Sequence, residues 1–198
     1  MTKHIRLFNR ISFFYGWFFR AQKKHYLNRV IPKLPFVLKG LKIIDLGAGT
    51  GALSSAMKEK GADVLMVDGS EKMLAIAKKK QGKDALPYRI ADVLHDPLDD
   101  LASVDVVISA YMAHGLVTKD RFKLYETMKR LSQKYIVFYE HRKTNNLFIK
   151  FIEYLEGGDY FNYVVVAEKE LREYFGHLHV IPVSKRSTLY VIENNFKV

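Results

Sequence analysis

The 198 residues are enough to bury one core and too few for a core plus a separate substrate domain, so a single domain over 1–198 is expected. The composition, 48% apolar and 27% charged, is that of a globular protein without low-complexity segments, and the lack of cysteine excludes disulfides, thiolate zinc sites and cysteine nucleophiles. A net charge of +11 favours anionic partners, nucleic acid or anionic lipid, and says nothing of fold; its concentration over Lys3–Lys39 and Lys119–Lys150 fits solvated helix faces equally well.

At the N-terminus, ten basic-rich residues precede the apolar run Ile11–Phe19, the outline of an export signal. Arg20, Lys23 and Lys24 follow without a small-residue cleavage site, and the run is far below the ~20 residues of a bilayer span, so a cytoplasmic chain is expected. Within residues 4–30, Phe8, Ile11, Phe14, Tyr15 and Phe18 recur near a helical period, and Pro32 and Pro35 should end the segment. Leu41–Leu46 reads as a buried strand running into a glycine cluster, Ala52–Lys60 as a helix broken by Gly61, Asp63–Asp68 as a strand and Ser70–Lys80 as a helix. Tyr88–Ala91 and Asp105–Ser109 are further strands, Lys119–Gln133 a helix, Tyr135–Glu140 a fifth strand and Glu168–Phe175 a helix. The last two strands, Val180–Val183 and Thr188–Ile192, are separated by only Ser184–Ser187, which permits an antiparallel hairpin and forbids a parallel crossover. Strands alternating with helices predict an α/β fold, a mostly parallel sheet covered on both faces and finished by that hairpin.

The chemistry concentrates at the first glycine cluster. In Ile43-Ile44-Asp45-Leu46-Gly47-Ala48-Gly49-Thr50-Gly51 a strand must turn sharply into a helix whose N-terminal amides face a ligand, with glycines allowing close backbone approach. Asp68, 21 residues after Gly47 at the end of the second strand, is placed to accept hydrogen bonds from ribose hydroxyls. A nicotinamide-dependent dehydrogenase shares these features, since Gly47-x-Gly49-x-x-Ala52 satisfies the relaxed dinucleotide fingerprint. Asp45 before the loop, the terminal hairpin and the missing substrate domain weigh against it.

The same run resembles the first motif of the class I S-adenosylmethionine-dependent methyltransferases, and Asp68-Gly69-Ser70-Glu71-Lys72-Met73-Leu74 and Ala91-Asp92-Val93 resemble the elements that follow it. The resemblance implies a three-layer Rossmann-like sandwich with a seven-stranded sheet, N-terminal lid helices over 1–39 and a core over 40–198. It implies S-adenosylmethionine as cofactor and S-adenosylhomocysteine as product. Asp45, Gly47, Ala48, Gly49 and Gly51 would form the loop against the methionyl and ribosyl parts, Asp68 and Gly69 the ribose site, Met73, Asp92 and Val93 the adenine site, with Ser109 at the end of the fourth strand. Read by themselves, Met73 also fits a core position and Asp92 a turn.

Methyl transfer is an in-line displacement in which the cofactor brings the electrophile, so the protein mainly aligns the acceptor and excludes water. In this family the acceptor lies beyond strands four and five, here Ser109–Leu116 and Glu140–Arg142. Tyr111, His114 and His141 are the side chains there able to orient an acceptor or remove its proton, although a structural histidine, a cofactor-lining tyrosine and a loop hydrogen bond account for them too. His177 and His179 lie on one strand face without a third ligand, and no metal is assigned.

Ser109-Ala110-Tyr111-Met112 lacks the paired prolines of amino-methyltransferases acting on nucleic-acid bases or glutamine, and the magnesium-binding acid of catechol-type enzymes. Phe8–Phe19 is similar to the opening segment of quinone-biosynthesis and small-molecule methyltransferases, with Asn9 and Gly16 where acids are common; this implies a lid closed by Tyr15 or Trp17. Aromatic residues flanked by Arg6, Arg10, Arg20, Lys23 and Lys24 match a helix in a membrane interface, so peripheral contact of residues 4–30 with anionic membrane and an apolar or membrane-borne small acceptor are expected. An RNA or other nucleic-acid methyltransferase and a non-catalytic cofactor-binding module are the alternatives.

Overall fold

The computed structural model describes residues 16–142 and 160–194, with side chains from 163 onward in the second segment. Expectations for residues 4–15, Tyr15 among them, lie outside the described residues.

The first helix, α1, runs over residues 16–25 and continues through a π turn, Tyr26–Val30, into a 3-10 turn, Ile31–Lys33. The helical segment closes there as expected: Pro32 is the second residue of the 3-10 turn, where its missing N–H is not needed, and Leu34 is already extended. Then come β1 (Lys42–Leu46), α2 (Ala52–Glu59), β2 (Asp63–Asp68), α3 (Glu71–Gln81), β3 (Tyr88–Ile90), β4 (Val104–Ala110), α4 (Thr118–Leu131), β5 (Ser132–His141), α5 (Tyr160–Phe175), β6 (His179–Pro182) and β7 (Ser187–Glu193).

The sheet order is β3-β2-β1-β4-β5-β7-β6. The first five of these strands pair in parallel and β7 is antiparallel to both β5 and β6, as the short final hairpin requires. This is the mostly parallel, hairpin-ended Rossmann-like α/β sheet that the sequence predicts.

Alternation along the strands splits the core in two. Ile43, Val64, Met66, Val106, Ile108, Val137 and Tyr139 pack against α1, α2 and α3, while Ile44, Leu46, Val67, Val107, Ile136 and Phe138 pack against α4 and α5. The central strands are therefore buried on both faces and read as continuous apolar runs. On the second face Arg121 is 1% exposed; its guanidinium donates to both oxygens of Glu170 at 2.8 Å and to the Leu116 carbonyl at 2.8 Å. That bidentate pair ties α4 to α5 and to the loop after β4.

Two helix boundaries differ from expectation. α4 stops at Leu131, two residues before Gln133, because Ser132 is already extended at φ −88° and ψ 138° and begins β5. α5 begins at Tyr160 instead of Glu168. Its first turns are rich in β-branched and aromatic residues with strand propensity, but Tyr163, Ala167, Leu171 and Phe175 recur every four residues and are all buried, and that burial prevails.

Candidate active site

The C-terminal ends of β1, β2, β4 and β5 lie along one edge of the sheet, and the site is built there. After β1 the chain turns through Gly47, Gly49 and Gly51, all at positive φ. The loop is stitched to the neighbouring strand: the Gly47 and Ala48 amides donate to the Val67 carbonyl at 2.8 and 3.2 Å. Asp68, at the tip of β2, accepts from the Gly49 amide at 2.8 Å through Oδ2 and from the Ser70 amide at 2.7 Å through Oδ1. Burial raises the Asp68 carboxyl above its usual range, and these two amides act against the rise. Ser70 also caps α3 by accepting from the Met73 amide at 3.2 Å.

Asp45 is 1% exposed, and its Oδ2 accepts from Ser54 Oγ at 2.5 Å. Burial pushes its carboxyl up to about 7, with the Ser54 bond opposing and the Asp68 charge adding. Such a buried acid is costly unless it is neutral or faces a cation.

A cavity of about 760 Å³ runs along this edge, within the ordinary size range of small-ligand sites. Its lining includes Asp45, Gly47, Ala48, Gly49, Asp68, Gly69, Met73, Asp92 and Val93, and also Tyr111, His114 and His141. From the tip of β2 to the tip of β5 is three strand spacings, roughly 14 Å. Among the described residues, four aspartates and four histidines line the cavity and no Lys or Arg does. An acidic pocket in a basic protein suits a cationic ligand.

At the β4–β5 end, Tyr111 stands at φ 56°, a strained conformation for a bulky residue. The turn lays its ring against His141 with centroids 4.3 Å apart and against Tyr139 at 4.8 Å. Burial and the charge of nearby His114 push the His141 imidazole down to about 4, with Glu140 opposing, while burial and Tyr139 raise the Tyr111 phenol. His114, 7% exposed, meets Glu140 Oε2 through Nδ1 at 2.7 Å. Glu140 is 0% exposed, and its Oε1 accepts from the Met112 and Ala113 amides at 3.2 and 2.9 Å.

A family model described as a methyltransferase domain matches residues 44–135, the stretch from β1 to the start of β5 that contains the glycine loop, Asp68 and Asp92. A ubiquinone biosynthesis O-methyltransferase of Sinorhizobium fredii is 35% identical over 92 residues, 46% of this chain and 37% of that protein. The chain thus spans little more than a third of that relative's length. A second protein of the same description, from Pelagibacter ubique, is 25% identical over 81% of this chain and 70% of its own. Among solved structures, magnesium protoporphyrin IX methyltransferase from Synechocystis, with bound S-adenosylhomocysteine, superposes with a TM-score of 0.65 at 21% identity, covering 89% of this chain and 85% of the other, a likeness of fold.

Two of the cofactor residues expected for such a methyltransferase do not reach the cavity. Ser109 is 0% exposed and its side chain points to the α4–α5 face, one residue out of phase with the cavity, where its Oγ has no hydrogen-bond partner. Gly51 lies behind the loop as the residue before α2; a Cβ there would sit 2.7 Å from both Met66 Sδ and Gln81 Nε2, so its smallness serves packing. The expected lid residue Trp17 is also displaced: it is 79% exposed and points away from the cavity, whereas Phe18, Gln22, His25 and Tyr26 line it from α1.

Sequence reasoning overlooked His25, Tyr26 and Glu140. His25 Nε2 contacts the Tyr139 hydroxyl at 2.9 Å, which fastens α1 over β5. An acid inside the apolar run Tyr135–His141 was the available signal for Glu140. His177 and His179 have ring centroids 4.6 Å apart, and His179 faces Glu193 at 3.7 Å; among the described residues no group of three such side chains is arranged to hold a metal.

Proposed function

We propose that the chain is an S-adenosylmethionine-dependent methyltransferase acting on a small, apolar acceptor and releasing S-adenosylhomocysteine. The observation that carries this is the single cavity joining the Gly49–Asp68 contact to the His114–Glu140 pair. Its residues suit the cofactor: a Cβ on Gly49 would meet nothing within 4 Å, so the backbone is open to a nucleoside, and Asp45, Asp68 and Asp92 offer three carboxylates to a cationic molecule. When bound, the cofactor supplies a methyl group on a positively charged sulfur.

The chain's residues do the rest. Asp68 keeps lone pairs beyond its two amide bonds for ribose hydroxyls, and Asp45 faces the amino-acid end. Met73 and Val93 provide apolar contact for the adenine, and Asp92, whose Oδ1 holds the Leu94 amide at 3.2 Å, is oriented for its amino group. Phe18 and Tyr26 close the α1 side and exclude water.

The quinone-biosynthesis relatives support a lipophilic acceptor. Trp17 and Phe18, 79% and 59% exposed, stand beside exposed Arg20 and Lys24, a pattern suited to a cytoplasmic protein resting on anionic membrane. Among the described residues no helix is long and apolar enough to cross a membrane. Among the described residues that line the cavity there is no cation for a nucleic-acid phosphate.

Incubation with methyl-labelled S-adenosylmethionine and, separately, a lipid extract, simple phenols and RNA tests the reading. Label is expected in a lipid or phenol fraction. Label in RNA alone, or in none despite cofactor binding, contradicts it.

A further inference from the structure

We infer that Arg20, Lys79 and Lys80 form a binding site for the phosphate of an anionic lipid headgroup, with Trp17 beside it at the level of the membrane interface. This rests on the proposed membrane contact of α1 and adds the groups that hold a lipid there.

The site is a cleft of about 560 Å³ where α1 crosses the last turn of α3, lined by Gly16, Trp17, Phe19, Arg20, Lys79 and Lys80. Gly16 lets the two helices approach: a Cβ there would stand 3.0 Å from Ile76 Cγ2 and 3.8 Å from Lys80 Cε. Arg20, four residues on and therefore on the same face of α1, stands over that end of α3. Arg20, Lys79 and Lys80 are all exposed.

Three like charges around one cleft repel one another until an anion joins them. The end of α3 asks for less positive charge than it receives, because a helix C-terminus carries about half a negative charge and Lys78 in the same turn already meets it. The neighbouring carboxylates lie elsewhere. Glu59 on α2 is held by Lys23 at 2.7 Å. Glu71 opens α3, about 13 Å along the helix axis from Lys80. Asp84 lies past Gly82 in the following turn, and among the described residues it forms no ion pair with the three cations. No Asp or Glu precedes Asp45 in the sequence, so the stretch leading into Gly16 brings no counter-charge.

The apolar groups beside the cleft select a lipid over a free phosphate. Trp17 in its wall is 79% exposed, and Phe18 next to it is 59% exposed. An indole turned to water beside cations suits a membrane boundary, where the ring enters the headgroup layer and the cations meet phosphates. A free phosphate makes no use of either ring. Gln22, His25 and Tyr26 of α1 line the large cavity, so a headgroup held in this cleft brings the membrane to the helix that borders the acceptor's site.

Trp17 is the chain's single tryptophan, so its fluorescence reports on the cleft directly. The test titrates the full chain with phosphatidylglycerol vesicles in about 0.1 M salt, where charges more than about 10 Å away are largely screened. Emission should move to shorter wavelength as the indole leaves water, and should stay unchanged with phosphatidylcholine vesicles. Lys79→Gln/Lys80→Gln should weaken vesicle binding about tenfold or more. Lys119→Gln/Lys169→Gln removes the same charge from α4 and α5 on the other face of the sheet, and should change binding less than about twofold. Arg20→Gln should weaken binding as well, and it decides where the lysine pair fails to fold. Equal losses in the two double variants, no loss in Lys79→Gln/Lys80→Gln, or a shift produced as fully by inorganic phosphate or by RNA overturns the inference while leaving the membrane contact of α1 standing. A wild type that does not bind phosphatidylglycerol overturns both.

Discussion

The Gly49 amide donates to Asp68 Oδ2 across 2.8 Å, locking the loop after β1 to the tip of β2. One hydrogen bond thereby sets both the backbone that a nucleoside approaches and the carboxylate that meets its sugar. Because Asp68 Oδ1 is held by the Ser70 amide at 2.7 Å, the carboxylate is fixed before any ligand arrives.

Two glycines of this loop should separate folding from binding. Gly51→Ala forces a methyl group against Met66 Sδ and against a Gln81 amide already bonded to Ser55 Oγ at 3.0 Å, at φ +71°. It should cost about 2–4 kcal/mol of stability. Gly49→Ala, at φ +55° with open space ahead, should cost about 1 kcal/mol of stability yet weaken nucleoside binding at least tenfold on the order of, because the methyl group enters the cavity. Urea unfolding and calorimetry on both variants check this; unchanged binding by Gly49→Ala would count against the loop's role.

Asp45 should make stability and affinity respond oppositely to pH. Unfolded, the carboxyl ionises near 3.8; folded, burial delays ionisation to about 7. The folded state therefore holds an extra proton between these values, and its stability falls as pH rises through that window and levels off above it. Affinity for cationic S-adenosylmethionine should rise through the same window as the carboxylate forms. Asp45→Asn should flatten both slopes, as seen by unfolding and calorimetry from about pH 5 to pH 8. Slopes surviving in the variant would assign them to another group.

Trp17→Ser and Phe18→Ser should reduce flotation with phosphatidylglycerol vesicles at low salt, since both side chains are exposed beside Arg20 and Lys24. Binding should vanish with neutral lipid and weaken as salt rises. Equal flotation of wild type and variants would remove α1 from the membrane proposal.

Most of the sheet was legible because its signals are local. β2 matches its expected range because Gly61 and Asp68 bracket an apolar run. The antiparallel hairpin followed from four connecting residues alone. What escaped depends on distance in the chain. α5 is helical at Tyr160 because a partner face across the sheet receives Tyr163 and Ala167, which local propensity does not report. Ser109 was assigned by its place at a strand end, but a strand shows alternate residues to opposite layers, and the parity was wrong for the cavity. Glu140 was read only as the end of the fifth strand; only the fold brings the Met112 and Ala113 amides to it.

The central claim is that Asp68 holds the ribose of S-adenosylmethionine. Its most direct test is calorimetric titration of S-adenosylhomocysteine into the wild type and Asp68→Ala side by side, with the unfolding midpoint of each recorded. The wild type should bind at one site, and the folded variant should lose about 1.5–3 kcal/mol, the range for hydrogen bonds to a charged group. Equal affinity in both proteins, or no binding by the wild type, would contradict it.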